Sequence, residues 1–142
     1  MFDPETQAPL GHRIVRLAKL HRGWVAAELE QLGLHVGQEL LLAHLCRQEG
    51  LRQTALARAL QVELPTVNKM LRRLEDAGFV RRDADPEDAR ASLTFLTDRG
   101  REVCQRIAEI WRDADARLRR RLSRSDAATL EALLASVLDP AD

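Results

Sequence analysis

The chain has 142 residues, and its 22 lysines and arginines are balanced by 22 aspartates and glutamates, so the formal net charge is zero. This length suits a single domain with its own core, for which a partner subunit would help to bury apolar surface. The charge balance excludes a globally basic nucleic-acid binder, so any affinity for DNA must come from a local cationic patch. The sequence has no apolar stretch long enough to span a bilayer and no signal-peptide pattern, which together predict a cytoplasmic protein.

The N-terminal part of the chain is predicted to be an arm followed by a long helix. Residues 1–9 are few, polar and contain Pro4 and Pro9, which predicts a flexible arm. A helix is expected from about Leu10 to Leu32, because its apolar residues recur near heptad spacing. These residues are Leu10, Ile14, Leu17, Trp24 and Leu32, with His21 in the same seam. Such a helix requires another helix against its apolar stripe.

A short core helix and the first cysteine follow. Gly33 ends the long helix, and His35 precedes the predicted helix 38–46 in a position typical of a cap. Cys46 and Cys104 lie in two separate helical patterns. In a reducing compartment such cysteines are predicted to be buried small hydrophobic residues.

Residues 54–78 predict two short helices joined by a tight turn. The apolar face of the first helix is formed by Leu56, Ala57 and Leu60. After a turn at 61–64, the second helix begins near Pro65, whose missing N–H costs nothing in a first helical turn. Its buried face follows the i, i+3, i+4, i+7 spacing, with Val67, Met70, Leu71 and Leu74. Gly78 then suits a left-handed cap, and the whole unit is a helix-turn-helix.

The opposite face of the second helix is polar and cationic. Helical periodicity turns six side chains away from the apolar stripe or onto its flanks, namely Pro65, Thr66, Asn68, Lys69, Arg72 and Arg73. A helix-turn-helix can insert the N-terminal part of its second helix into a DNA major groove. An ordinary solvated helix accounts for the same pattern when this helix is considered alone.

A hairpin is predicted after the second helix. Residues 79–82 and 92–96 have strand patterns, the second with alternating Leu93 and Phe95. The polar sequence DADPEDARA between them predicts a long loop with Pro86 near its middle. Residues 51–53 are a candidate third strand of the same sheet. The helices and the hairpin together predict a winged helix.

Arg90 lies on the returning limb of this hairpin. An arginine there can reach a minor groove, whose negative potential attracts cationic side chains. Asp88 is expected to hold the guanidinium of Arg90 in place by a charge-assisted hydrogen bond. The alternative for Arg90 is a surface ion pair that contributes little stability.

Two further helices are predicted at the C-terminal end. Thr97 is a candidate N-cap for a long helix to about Leu122, and Ser123 with Asp126 marks the start of a last helix. The basic run 117–124 keeps the apolar stripe of the long helix and is predicted to be a solvated face, with a second nucleic-acid patch as the alternative. The terminal helices carry more apolar surface than a small winged helix can bury. We therefore expect a homodimer whose two recognition helices lie roughly 34 Å apart on a pseudo-palindromic site.

The run from Leu56 to Gly100 resembles the winged-helix core of the MarR family of bacterial transcriptional regulators. The matching residues are Leu56, Ala57, Leu60, Thr66, Val67, Leu74, Glu75, Gly78, Val80, Arg82, Asp88, Arg90, Leu96, Thr97 and Gly100. The similarity extends to both flanks of this run. Gln61 stands where the family usually has glycine, and Glu63 stands where it usually has a serine-like cap.

The resemblance implies a mainly α fold with a small β-hairpin wing (α+β), that is, a winged helix-turn-helix with N- and C-terminal dimerisation helices. One domain would occupy residues 10–142, with a DNA-binding lobe at 34–100 and dimerisation helices at 10–32 and 101–139. The implied function is that of a sequence-specific transcriptional regulator. It would be a ligand-responsive repressor that binds its DNA operator as a homodimer.

Ten residues are predicted to serve DNA binding. Lys69 and Arg72 are assigned to the major groove, and Arg90 is assigned to the minor groove. The others would contact phosphates or base edges, or support those contacts, and are Gln53, Thr54, Pro65, Thr66, Asn68, Arg73 and Asp88.

Many members of the MarR family are released from DNA by small aromatic or phenolic ligands, and the resemblance extends this expectation to the present chain. The pocket would lie between the first helix, the 34–45 helix and the helix after Thr97, lined by Arg16, His21, Trp24 and His44. A plain core or interface role is the alternative for Trp24. Peroxide sensing through a cysteine of the first helix, known in some relatives, is not expected, because that helix has no cysteine. A redox role for Cys46 or Cys104 is an open alternative.

The sequence contains no catalytic motif. CxxC, HExxH, GxSxG and a phosphate-binding glycine loop are all absent, and the four scattered histidines do not predict a metal site. We expect neither enzymatic activity nor a cofactor. The alternative to a DNA-binding regulator is a winged-helix interaction module that has lost DNA binding. Zero net charge and four acidic residues of the wing suggest it, namely Asp83, Asp85, Glu87 and Asp88.

Overall fold

The computed structural model describes residues 1–139, so the last three residues of the predicted domain, 140–142, lie outside the described part. Its helices are α1 (Pro4–Gln7), α2 (Pro9–Gln31), α3 (Gln38–Arg47), α4 (Gln53–Leu60), α5 (Leu64–Asp76), α6 (Asp98–Arg119) and α7 (Arg124–Leu138). Its strands are β1 (Leu51–Arg52), β2 (Val80–Asp85) and β3 (Asp88–Leu96). The predicted fold, mainly helical with a small antiparallel sheet, is confirmed. None of the helices in residues 1–139 combines the length and the apolar character that crossing a membrane requires.

The N-terminal helices bury little of their own surface. The segment predicted to be an arm contains one helical turn, α1, which is capped by the carboxylate of Asp3 and has no buried residue. In α2 only Val25 and Leu29 are buried, and both lie in its C-terminal half. Leu10 and Ile14 in the first half are 74% and 47% exposed. Within residues 1–139, the N-terminal half of α2 therefore has no buried side chain.

The hairpin of the wing is longer and tighter than its sequence suggests. The sheet has the strand order β1-β3-β2 and is antiparallel throughout. Leu51 pairs with Thr94, so the predicted third strand is confirmed. The predicted long loop is wrong, because Asp85 already pairs with Asp88 and leaves only Pro86 and Glu87 at the turn. Backbone hydrogen bonds hold such a hairpin together whatever the polarity of its solvent-facing side chains, so a polar sequence does not reveal it.

One hydrophobic core joins α3, α4, α5, the sheet and α6. Its most completely buried large side chains are Leu29, Leu41, Leu42, Leu45, Leu56, Leu71, Leu74 and Phe79. Helix α6 adds Val103, Ile107 and Ile110 from one face. The helix-turn-helix is thus supported from behind by a continuous apolar layer.

The start of α6 is fixed to the winged helix by a close backbone approach. Oγ1 of Thr97 accepts a hydrogen bond from the N–H of Gly100 at 3.1 Å and donates one to the carbonyl oxygen of Gly78 at 2.5 Å, which confirms Thr97 as the N-cap. A Cβ atom on Gly100 would lie 2.1 Å from the carbonyl oxygen of Phe79. Only glycine fits there, because a side chain would push α6 away from the sheet.

The cap of α3 differs from the prediction. Gly37, with φ of 101°, occupies the N-cap position instead of His35. The side chain of Glu39 accepts a hydrogen bond from the N–H of Gly37 at 2.8 Å, and that of Gln38 accepts one from the N–H of His35 at 2.9 Å. The free N–H groups before α3 are therefore satisfied by side chains of its own first turn.

The two cysteines form a disulfide, so their prediction as separate buried residues is wrong. Cys46 of α3 and Cys104 of α6 have Cα atoms 5.9 Å apart. Cys46 is exposed and Cys104 is half-buried. The bond joins residues 58 positions apart in sequence, and periodicity within either helix cannot reveal it.

Candidate nucleic-acid interface

Helix α5 is held with one face in the core and the other in solvent. Val67, Leu71 and Leu74 are fully buried, and Met70 is half-buried, as the periodicity predicts. Helix α4 ends at Leu60, and the C-cap residue Gln61 adopts the left-handed conformation at φ of 55°, where glycine would be unstrained. The packing of α5 therefore fixes which residues it can present to a partner.

The outer face of α5 presents cations that have no ion pair within residues 1–139. Lys69, Arg72 and Arg73 are exposed and form no salt bridge with any residue that the structure describes. Pro65 and Thr66 are exposed at the N-terminal end of the same helix. This face combines positive charge with hydrogen-bonding groups, which suits contact with phosphates and base edges.

Asn68 occupies the flank between the outer face and the core. It is half-buried, and its Oδ1 has no hydrogen-bond partner among the described residues. A buried amide oxygen without a partner is costly, and contact with a donor from outside the protomer would remove that cost.

The start of α4 lies beside the wing. Gln53 is half-buried, and its Oε1 accepts a hydrogen bond from Oγ of Ser92 on β3 at 3.3 Å. Thr54 is exposed in the first turn of α4. Thr54 is therefore the freer of the two residues predicted to bind phosphate.

Arg90 is exposed on β3 and forms no ion pair with another described residue. The predicted hydrogen bond from its guanidinium to Asp88 is not formed. Oδ1 of Asp88 instead accepts from the backbone N–H of Arg90 at 3.0 Å. An aspartate side chain commonly accepts a hydrogen bond from the N–H two residues on. Asp88 thus bonds to the backbone at the start of β3 and leaves the Arg90 side chain free.

Two of the four acidic residues of the wing form ion pairs within the protomer. Asp85 is buried and lies 2.5 Å from a guanidinium nitrogen of Arg52. Asp83 forms an ion pair with Arg81. Glu87 is exposed at the tip. The formal charge of the wing therefore overstates the repulsion that a DNA phosphate would meet there.

Two neighbouring apolar pockets, here together called the cavity, lie among α2, α3 and α6, the three helices expected to form a ligand pocket. The larger pocket, of about 330 Å³, is lined by Leu40, Ala43, Cys46, Arg47, Cys104, Ile107, Ala108 and Trp111. The smaller pocket, of about 140 Å³, shares Leu40 and Trp111 with it and is lined also by His21, Arg22, Val25, Val36, Gly37 and Glu39. The rings of His21 and Trp111 are 5.0 Å apart. Burial raises the pKa of the Glu39 carboxyl, which is 1% exposed.

The four residues predicted to line a ligand pocket do not surround one cavity. His21 borders the cavity just described, whereas Trp24 borders a separate groove with Arg117 and Arg120. The guanidinium of Arg117 lies 4.2 Å from the Trp24 ring, so Trp24 has a structural partner there. Arg16 and His44 line neither of these spaces. Trp111 was not predicted as a lining residue, although it directly follows Ile110 in the sequence of α6.

Comparison with known proteins identifies the family. Residues 34–92 match the family model described as MarR family. The HTH-type transcriptional repressor Rv2887 of Mycobacterium tuberculosis is 39% identical over 116 residues, which cover 82% of this chain and 84% of the relative.

The chain belongs to the MarR family.

Solved MarR structures have the same architecture. A cysteine-to-serine mutant of Escherichia coli MarR complexed with operator DNA has a TM-score of 0.87 at 27% identity, covering 97% of this chain and 99% of that one. The apo form of wild-type Escherichia coli MarR has a TM-score of 0.77 at 29% identity, covering 92% and 96%. MarR-family proteins are DNA-binding regulators rather than enzymes, which agrees with the absence of catalytic motifs from the sequence.

Proposed function

We propose that this MarR-family protein is a cytoplasmic transcriptional repressor that binds a pseudo-palindromic operator as a homodimer. Helix α5 enters the major groove, where Lys69 and Arg72 read or position the bases. Arg90 on the β2–β3 hairpin enters the adjacent minor groove. Small aromatic or phenolic effectors release the protein from DNA.

The main support for DNA binding is the set of exposed cations without ion pairs on α5 and β3. Six other arginines form ion pairs within residues 1–139, for example Arg106 with Glu109 and Arg119 with Asp115. Lys69, Arg72 and Arg90 have no such partner within residues 1–139, so they contribute positive potential toward an outside ligand. Because the net charge of the chain is zero, this local patch supplies the electrostatic attraction that phosphates require.

The homodimer is supported by apolar surface that the protomer leaves exposed on its terminal helices. The large exposed apolar side chains of α2 and α7 are Leu10, Ile14, Val15, Leu20, Leu130, Leu133, Leu134, Val137 and Leu138. So many large apolar side chains exposed on two helices are unfavourable in water and indicate an interface. A twofold dimer through these helices would set the two α5 helices roughly one DNA turn, about 34 Å, apart.

Effector control is supported by the position of the cavity between α2, α3 and α6. These helices connect the exposed apolar surface of the terminal helices with the winged helix. A ligand regulates DNA binding only if its affinity differs between two states of the dimer. In one state the spacing of the two α5 helices fits the operator, and in the other it does not. The cavity suits an aromatic ring, because its walls are mostly apolar, and a phenolic hydroxyl can donate to the nearby carboxylate of Glu39.

The test of DNA binding is fluorescence anisotropy with an operator selected from a random oligonucleotide pool, at a stated salt concentration. Arg72→Ala should cost on the order of 1 to 3 kcal/mol of binding free energy if Arg72 reads a base. Arg90→Ala should weaken binding as well. For each phosphate that a variant no longer neutralises, the slope of log affinity against log salt should fall by about one.

Arg106→Ala is the matched control, because Arg106 is an exposed arginine of α6 outside the proposed interface. It should bind with wild-type affinity. Wild-type affinity in both Arg72→Ala and Arg90→Ala would contradict the proposed function. Failure of the pool to yield any recurring palindrome would favour the interaction module that has lost DNA binding.

A further inference from the structure

The disulfide between Cys46 and Cys104 closes a covalent loop around the winged helix. Cys46 lies one residue before the end of α3, and Cys104 lies in the second turn of α6. The residues between them include β1, α4, α5, β2 and β3. Every residue that the proposed function assigns to DNA lies inside this loop.

The bond is accessible to small reagents. Cys46 is exposed, and both cysteines border the larger pocket, of about 330 Å³, between α3 and α6. Thiol–disulfide exchange requires a thiolate to reach one of the two sulfur atoms. The exposed side of Cys46 offers that approach, whereas Cys104 is half-buried.

The surrounding structure accommodates the reduced state. Sγ of Cys104 lies 3.4 Å from the carbonyl oxygen of Gly100, so a free thiol there has an acceptor already in place. Other contacts between these segments do not involve the sulfur atoms: Leu45 and Ile107 lie in the shared core, and Glu49 pairs with Arg101 at 3.1 Å. Reduction would therefore remove the tether between α3 and α6 without exposing the core.

An exposed disulfide in a DNA-binding protein suggests regulation. Disulfides in reducing compartments are usually transient or redox-sensing, and exposed ones are the more easily reduced. The inference rests on the proposed function, because a protein that binds an operator works in the compartment that contains the DNA, and that compartment is reducing.

We propose that Cys46 and Cys104 form a reversible thiol–disulfide site that regulates operator binding, and that the disulfide form binds the operator more tightly. A hydroperoxide oxidises the Cys46 thiolate to a sulfenic acid, and the peroxide oxygen that leaves is protonated to an alcohol or water. The Cys104 thiol then attacks Sγ of Cys46, forms the S–S bond and releases water. In the reverse direction a dithiol forms a mixed disulfide with Cys46, frees Cys104, and then closes its own disulfide as it frees Cys46.

The direction of the effect follows from the tether. It limits the motions of α3 relative to α6 that DNA binding would otherwise have to freeze. The oxidised protein therefore loses less conformational entropy on binding the operator than the reduced protein does.

The experiment compares the oxidised and the reduced wild-type protein in the same anisotropy assay, with hydrogen peroxide as oxidant and dithiothreitol as reductant. Maleimide labelling under denaturing conditions counts free thiols in each sample. Oxidised protein should have none and reduced protein two, and reduction should weaken operator affinity at least about fivefold, the lower end of typical coupling between two sites. The variant Cys46→Ser with Cys104→Ser should have the affinity of the reduced protein under both conditions.

Each outcome decides the inference. Equal affinity of the oxidised and reduced forms, tighter binding by the reduced form, or two free thiols that persist in peroxide would overturn it. Binding by every form with equal affinity would leave the proposed function intact. Absence of operator binding in every form would overturn the proposed function as well, while thiol counting would still report whether the disulfide forms.

Discussion

Glu63 directly precedes α5, and its side chain does not cap the helix. It occupies the N-cap position, but its side chain accepts no hydrogen bond from the first N–H groups of the helix. A serine hydroxyl is short enough to bond back to the third residue of the helix, as Ser123 does at 3.0 Å in α7. The longer glutamate side chain is poorly suited to that bond, and its charge lies at the end of the helix proposed to approach DNA.

Replacement of Glu63 by serine should therefore stabilise α5. Glu63→Ser and Glu63→Ala remove the same charge, so the difference between them reports the cap alone. We expect the serine variant to have a free energy of unfolding about 1 kcal/mol greater than the alanine variant. Urea unfolding at one fixed protomer concentration measures this difference. Coincident midpoints would mean that the hydroxyl forms no cap here.

At the scale of elements, the cavity between α2, α3 and α6 makes Trp111 a natural reporter. The chain has two tryptophans, and the other, Trp24, lies against Arg117 in a different groove. Trp24→Phe leaves Trp111 as the single fluorescent indole beside the cavity. Trp111→Phe leaves Trp24 as the matched control.

Aromatic ligands should quench only the reporter in the cavity. Titration with phenol, benzoate or 1-naphthol should change the emission of Trp24→Phe in a saturable way and leave that of Trp111→Phe unchanged. The ligand that binds should also lower operator affinity of the wild-type protein in anisotropy. Equal quenching of both variants would indicate collision in solution and would remove the support for an effector site.

The elements differ in how well their sequence predicts them. Helix α5 and the cap at Thr97 are predictable because apolar periodicity and capping residues act within a few positions. The tight hairpin is not, since pairing of Asp85 with Asp88 depends on the backbone and gives no apolar alternation at the tip. The sequence therefore predicted which residues of α5 face solvent. It did not predict the hydrogen bond that the backbone N–H of Arg90 donates to Asp88.

Contacts between distant segments were the least predictable part. The Cys46–Cys104 bond and the apolar cavity bring together α3 and α6, and no local pattern records which faces of two amphipathic helices meet. For the same reason only two of the four predicted ligand residues, His21 and Trp24, border one of these spaces, each a different one, and Trp111 was overlooked. Glu39 shows a related effect, because a charged residue in the first turn of a helix is ordinarily expected to face solvent.

At the scale of the whole molecule, the exposed apolar face of α7 determines whether the protein acts as a pair. Leu133 and Val137 are four residues apart on one face and are 60% and 75% exposed. A variant with Leu133→Glu and Val137→Glu places two charges where the partner subunit is proposed to pack. Burying unpaired charge in an interface is strongly unfavourable, so the dimer should dissociate.

Sedimentation equilibrium should give the mass of one protomer for this variant and twice that mass for the wild-type protein at the same concentration. Operator affinity should fall at least about tenfold, because the second half-site is no longer bound within the same complex. Unchanged far-ultraviolet circular dichroism would show that the protomer still folds. A monomeric variant with wild-type operator affinity would contradict the proposed mode of binding.

The close approach of Gly100 to Phe79 has a mechanical consequence. Because there is no room for a side chain at that joint, we expect the start of α6 to turn together with Phe79 and the sheet that follows it. Helix α6 has 22 residues, which corresponds to about 33 Å of length. If α6 pivots at its far end by about 5°, its near end and the attached recognition helix sweep through roughly 3 Å, a distance comparable with the rise of one base pair. A small molecule would need only a slight rotation of this helix to misalign the protein with its operator.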